Sequence, residues 1–226
     1  MKRNVALLAL AAFAAFAQAG AWAATYTFTG PIYANLKDFT PPCAAGPCVN
    51  FTAAMRQTGQ FTTNQPLLAN QSGLDIAPFI TSYFFNDGVT DYDSANGADT
   101  RLEKAMVNTD ANGQIVDSNI VLLHWQTASH GAGDRLRYMA VNLASYANRP
   151  CVSLTSPDIC HSYVDDGATS HAFAHGSGGW ASDVPVLVGP GGVQSVPVDN
   201  PFALVLTAVS LVGLAMRWRS RALMKA

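Results

Sequence analysis

Apolar positions in this chain fall into two unbroken runs near the ends, residues 5–17 and 202–216, and a long middle of short alternations cut by turn residues. Tyr26-Thr27-Phe28-Thr29 alternates with period two and stops at Gly30-Pro31, which predicts a first strand. Residues 49–63, rich in Thr and Phe, predict a second strand with Gly59 as a bulge. Residues 79–85 are aromatic and β-branched and end at Asn86-Asp87-Gly88. Ala105-Met106-Val107 and Ile115-Val116 flank a turn-rich link from Thr109 to Gly113. Residues 120–125 form a solid apolar run that predicts a central strand, and Leu136, Tyr138 and Ala140 alternate in the next one. No long amphipathic helical period and no internal repeat is present. Short strands joined by Asx and Gly turns predict an all-β fold, an antiparallel β-sandwich over residues 24–194.

Composition supports that reading. Fourteen of the 15 acidic residues are Asp, Glu103 is the single glutamate, and lysine is scarce, a balance that favours turns over long helices. Formal charge is −2, but the basic residues gather at the tips. Residues 24–200 hold seven basic and fifteen acidic side chains, a net −8. Nucleic-acid binding needs a basic face on the folded domain, so that class is excluded. A segment of this length buries about 70 % of its unfolded surface and can sustain one core.

Both ends read as addresses. Lys2 and Arg3 precede the first apolar run, and Ala21-Trp22-Ala23 supplies a small-x-small cleavage site. Residues 1–23 are therefore expected to be a signal peptide with a mature start near Ala24. At the other end, Asn200 and Pro201 are suited to cap and open a helix from Phe202 to Met216, followed by Arg217, Arg219, Arg221 and Lys225. Fifteen residues span about 22 Å, short of a hydrocarbon core of roughly 30 Å, and flanking Arg and Trp extend the reach at the interface. The basic cluster predicts a cytoplasmic C-terminus with the acidic domain outside.

The tail has three parts: the motif Val196-Pro197-Val198-Asp199 within residues 196–201, the helix 202–216 and the basic cluster 217–225. Together they resemble the C-terminal sorting signals of the PEP-CTERM class, whose short motif is Val-Pro-Glu-Pro, matched here at its first two positions. The related IPTL-CTERM pattern fits the spacing of Val196, Pro197, Phe202 and Ala203 comparably. Asn86-Asp87-Gly88-Val89, residues 107–115 and Ser177-Gly178-Gly179-Trp180 resemble segments of β-rich domains that precede such tails. The resemblance implies an exported protein of a Gram-negative bacterium that makes exopolysaccharide. It implies an exosortase-like membrane protease as partner, and a membrane anchor through the C-terminal helix before processing. The product then resides in the cell envelope, at the surface or outside the cell, with exopolysaccharide as a further partner.

Chemistry is sparse. Cys43 and Cys48, then Cys151 and Cys160, form two close pairs; export makes disulfides the default, and of three connectivities the local one is expected. Cys-x-x-Cys, which redox activity needs, is absent. Asn108-x-Asp110-x-Asn112-Gly113 imitates half of an EF-hand loop, but Asn119 stands where a bidentate Glu belongs, so a hairpin turn is expected. Asp87, Asp91, Asp93 and Asp99 offer oxygen ligands for calcium or a solvated loop, the second being favoured. No cofactor and no catalytic residue is assigned. The leading expectation is a non-enzymatic envelope or matrix protein. The alternatives are a metal-dependent exported hydrolase using His124, His130, His171 or His175, and a membrane-tethered periplasmic binding module.

Overall fold

The computed structural model describes residues 22–184. Its strands are β1 (Ala24–Lys37), β2 (Arg56–Thr63), β3 (Leu74–Asp75), β4 (Ile80–Asn86), β5 (Asp91–Asp93) and β6 (Thr100–Thr109). They continue with β7 (Ile115–Trp125), β8 (Arg135–Ala140), β9 (Ala144–Ser156), β10 (Ile159–Tyr163), β11 (Ser170–Ala174) and β12 (Gly179–Ser182). All pairings are antiparallel. The ladder runs β3-β6-β7-β8-β9-β11-β1-β2-β4-β5, with β12 added to β1 and β10 to β9. The fold is therefore all-β, as the alternation predicts.

The long ladder doubles over at β1. The first half of β1 pairs with β2 and β12, Phe28 standing opposite Gly59 and Trp180. The second half pairs with β11, Tyr33 opposite Ala174 and Lys37 opposite His171. Register slips between Thr29 and Ile32, around a proline that has no N–H to give to a ladder. Gly30-Pro31 thus marks a change of layer within one strand, where the sequence pattern predicts its end. Tyr26, Phe28, Phe61, Phe85 and Tyr92 from one layer meet Val107, Ile120, Leu122 and Met139 from the other in a single apolar cluster, which makes the fold sandwich-like. Trp180 packs on Phe28, Phe61 and Phe85 and donates from Nε1 to Ser118 Oγ at 3.2 Å, joining β12 to β7.

Two further expectations change. Only Arg56–Thr63 of the segment 49–63 forms a strand; Phe51 instead packs with Tyr33, Ala147 and Ala172. Gly59 is no bulge, for it pairs in register with Phe28 and Phe85. A β-carbon there would lie 2.1 Å from the Phe85 ring, so aromatic packing demands the glycine. The Asn-Gly link does form a hairpin: Asp110 Oδ1 accepts from the Asn112 and Gln114 amides, and Gly113 adopts φ 76°. Strand β7 is buried on both faces, Ile120 and Leu122 in the sandwich core and Leu123 and Trp125 in a second cluster outside it.

That second cluster contains Cys151 and Cys160, whose disulfide ties β9 to β10, while Cys43–Cys48 closes a turn between β1 and β2. Ala24, the expected mature start, is the first residue of β1 and is buried. The charged and apolar regions of the expected signal peptide and the expected tail from Val196 to Lys225 lie outside the described residues, among which no helix is long and apolar enough to cross a membrane.

Replacing Gly59 by Ala is expected to cost about 1–3 kcal/mol by overpacking. Gly179→Ala, where nothing lies within 4 Å of the added carbon, is expected to be near neutral; urea unfolding of the two variants checks the difference. Removing the second disulfide as Cys151→Ala/Cys160→Ala is expected to cost about 2–3 kcal/mol, read from the same curves.

Candidate functional site

The outer face of the β8-β9-β11-β1 layer carries a row of polar and aromatic side chains in register. Tyr138 pairs with Tyr146, Tyr146 with His171, and His171 with Lys37, so one side chain from each of four neighbouring strands stands in line. At the usual interstrand spacing the row spans about 14 Å. Phe173 flanks it, edge-on to both Tyr146 and His171. Residues 146 and 149 would face opposite sides of a regular strand. A register shift and the left-handed backbone of Asn148 (φ 54°) reset that parity, and the Arg149 guanidinium comes to lie 4.0 Å from the Tyr146 ring centroid. Tyr163, brought round on β10, stands 5.0 Å from the same guanidinium.

Arg149 Nε donates to Asp165 Oδ1 at 2.8 Å, which orients the group while its terminal amino groups donate to no acceptor among the described residues. The Tyr163 hydroxyl lies 3.0 Å from Glu103 Oε2 and 2.8 Å from the Cys160 carbonyl, either of which can accept its proton. Burial pushes the Tyr138, Tyr146 and Tyr163 phenols up, so all three remain neutral hydroxyls at ordinary pH. Burial also lowers the His171 pKa, against the pull of Asp165, and the imidazole is neutral at pH 7. The face thus combines neutral donors and acceptors with two cations, Arg149 and Lys37, and two carboxylates, Asp165 and Glu103.

Polar groups also cross the interior. Asp87 is fully buried; its Oδ1 accepts from the Val89 and Thr90 amides and its Oδ2 from the Tyr92 hydroxyl. Arg137 on β8 donates to Val89 O and Thr90 Oγ1, and Tyr33 donates to the Asp87 carbonyl, so the turn after β4 is pinned to the opposite layer. Gln57 donates to the Ala140 and Ala144 carbonyls and accepts from the Asn142 amide, extending the network. Burial raises the Asp87 carboxyl from 3.8 to about 6, opposed by the hydrogen bonds from Val89, Tyr92 and Thr90 and by the Arg137 charge.

The other aspartates named for calcium are placed separately. Asp91 accepts from Asn86 Nδ2, Asp93 from the Ala95 amide, and Asp99 lies 3.3 Å from His130. Among the described residues no three His, Cys, Asp or Glu side chains are positioned to hold a metal ion. The histidines are also dispersed. His124 Nδ1 lies 3.0 Å from Thr100 Oγ1, and burial lowers its pKa. His130 stacks on Trp125, the residue after His124 and on the other face of β7, with its two nitrogens 3.3 Å from Asp99 and Asp158. His171 is on β11, and His175 follows the end of that strand. Neither the tyrosine row nor the buried role of Asp87 was named from the sequence. Tyr138 stands in an alternating run, but its alignment with Tyr146, His171 and Lys37 depends on pairings between strands.

Comparison of the chain with protein-family models, curated proteins and solved structures finds no match.

The Asp87 shift has a definite sign. The native state holds the proton more tightly than the unfolded chain, so this contribution to stability is complete below pH 3.8 and is lost as pH rises through about 6. A shift of this size is worth about 3 kcal/mol. Asp87→Asn is expected to remove that downward slope, measured as unfolding free energy against pH for variant and wild type. Superimposable profiles would contradict the assignment.

Proposed function

We propose that this is a non-enzymatic exported protein of the cell envelope or extracellular matrix, delivered by a C-terminal sorting tail and associated with exopolysaccharide. The observation that carries the reading is an all-β domain with two disulfides and no free cysteine among the described residues, which suggests an oxidising, exported environment. The sequence at both ends supports the same address: a leader ending at Ala23, and Val196-Pro197 before the apolar run and Arg217, Arg219 and Arg221. An exosortase-like protease acts on the tail while residues 202–216 hold it in the membrane, and the β-domain is the product. His124 and His130 are engaged with Thr100, Asp99 and Asp158, an arrangement that favours binding over the hydrolase alternative.

Intact-mass spectrometry on the protein recovered from membrane, surface and medium of its native host tests this reading. The expected product starts near Ala24 and ends close to Pro197. A mass that retains residues 217–226 would contradict processing and leave a membrane-tethered binding module.

A further inference from the structure

We propose that the tyrosine row on the outer face of β8, β9, β11 and β1 is a binding site for a neutral, linear glycan. This rests on the envelope reading above and names the ligand class that the exported domain takes. The row crosses the strands through Tyr138, Tyr146, His171 and Lys37, and so presents an extended track in place of a closed pocket. Extended tracks suit polymers. Arg149 and Asp165 are joined through Nε at 2.8 Å, and the terminal amino groups of Arg149 donate to no acceptor among the described residues. A donor fork beside a carboxylate acceptor matches neighbouring hydroxyls on a sugar ring, one accepting and one donating. The guanidinium is already stacked on Tyr146 and flanked by Tyr163, so little side-chain freedom is lost on binding. The Tyr138 and Tyr146 hydroxyls donate to nothing among the described residues, and they add polar contacts along the track.

Charge decides between glycan classes. Glu103 and Asp165 balance Arg149 and Lys37 at the site, and the chain from residue 24 to 200 carries a net −8. A uronate polymer would meet two carboxylates at the face and a repulsive field around it. A neutral polymer meets neither. Arg149 is fixed on Asp165, so its donor fork is pre-oriented, and Tyr163, whose one proton goes to Glu103 or the Cys160 carbonyl, offers an acceptor.

Affinity gel electrophoresis of the full-length protein in detergent tests the proposal. The gels are cast with dextran, hydroxyethyl cellulose or a β-1,3-glucan as neutral probes, and with alginate or polygalacturonate as acidic ones. At least one neutral polymer is expected to retard the wild type. Tyr146→Ala and Arg149→Lys are expected to weaken that association by about tenfold, because lysine keeps the charge and loses the fork. His171→Gln is the mildest variant, and thermal melts establish which of the three are folded. Val116→Ser, exposed on β7, is the control and is expected to migrate as wild type. Retardation by acidic polymers alone, or retardation that folded Tyr146→Ala and Arg149→Lys proteins retain, would overturn the site while leaving exopolysaccharide association in place. No retardation by any polymer would also overturn it, and the envelope reading would then stand or fall on the mass of the native product.

Discussion

One strand belongs to both layers, and the remainder of the domain is arranged around it. β1 gives residues 24–29 and Ile32 to β2, residues 26–29 to β12, and residues from Tyr33 onward to β11. A proline in the middle of a continuous ladder would leave a carbonyl without its donor. Here that defect is placed where the ladder is already shifting from one layer to the other. The bend brings Tyr26 and Phe28 over Ile120, Leu122 and Met139, and the sandwich core is the result. Tyr33, just past the bend, then reaches Ser145 and the Asp87 carbonyl, so the polar network begins at the same corner.

The two sides of the β8-β9-β11 layer therefore have different tasks. Its inner side is closed by a polar network in which Tyr33 and Arg137 hold the turn after β4 of the opposite layer, and Gln57 of that layer holds the turn between β8 and β9. Networks of this kind fix one arrangement, because a misplaced turn leaves several buried groups unpaired. The outer side is covered only in part: Tyr138 packs with Tyr163 against the second cluster and His171 Nδ1 is buried, while the Tyr138 and Tyr146 hydroxyls have no hydrogen-bond partner among the described residues. The Cys151–Cys160 disulfide lies next to that face and holds β10, and with it Tyr163, against β9.

Much of the fold was legible in short-range patterns. An aromatic and β-branched run identified β4, a solid apolar run β7 and period-two alternation β8; the Asn-Gly turn identified the β6–β7 hairpin; close cysteine spacing identified both disulfides. What was missed is long-range. Gly30-Pro31 reads as a terminator locally and becomes a bend only because β11 waits beyond it. Gly59 looks like a bulge until Phe85 is placed against it. Asp87 reads as a loop acid beside Asp91 and Asp93, and nothing local reveals that Tyr92 and Arg137 would close over it. The tyrosine row required the register of four strands, and its Lys37 on β1 lies more than a hundred residues from the other three members. Periodicity cannot supply that.

Sharing one strand makes the layers a single cooperative unit, and native-state hydrogen exchange in increasing denaturant tests this most directly. The amides of Tyr26 and Phe28 are held in the first layer, and that of Ala172 lies in β11 between β1 and β9, beyond the bend. All three are predicted to exchange only through global unfolding, with one opening free energy and one denaturant dependence. Exchange of Ala172 and the rest of β11 through a lower-energy opening, while Tyr26 and Phe28 stay protected, would contradict the account.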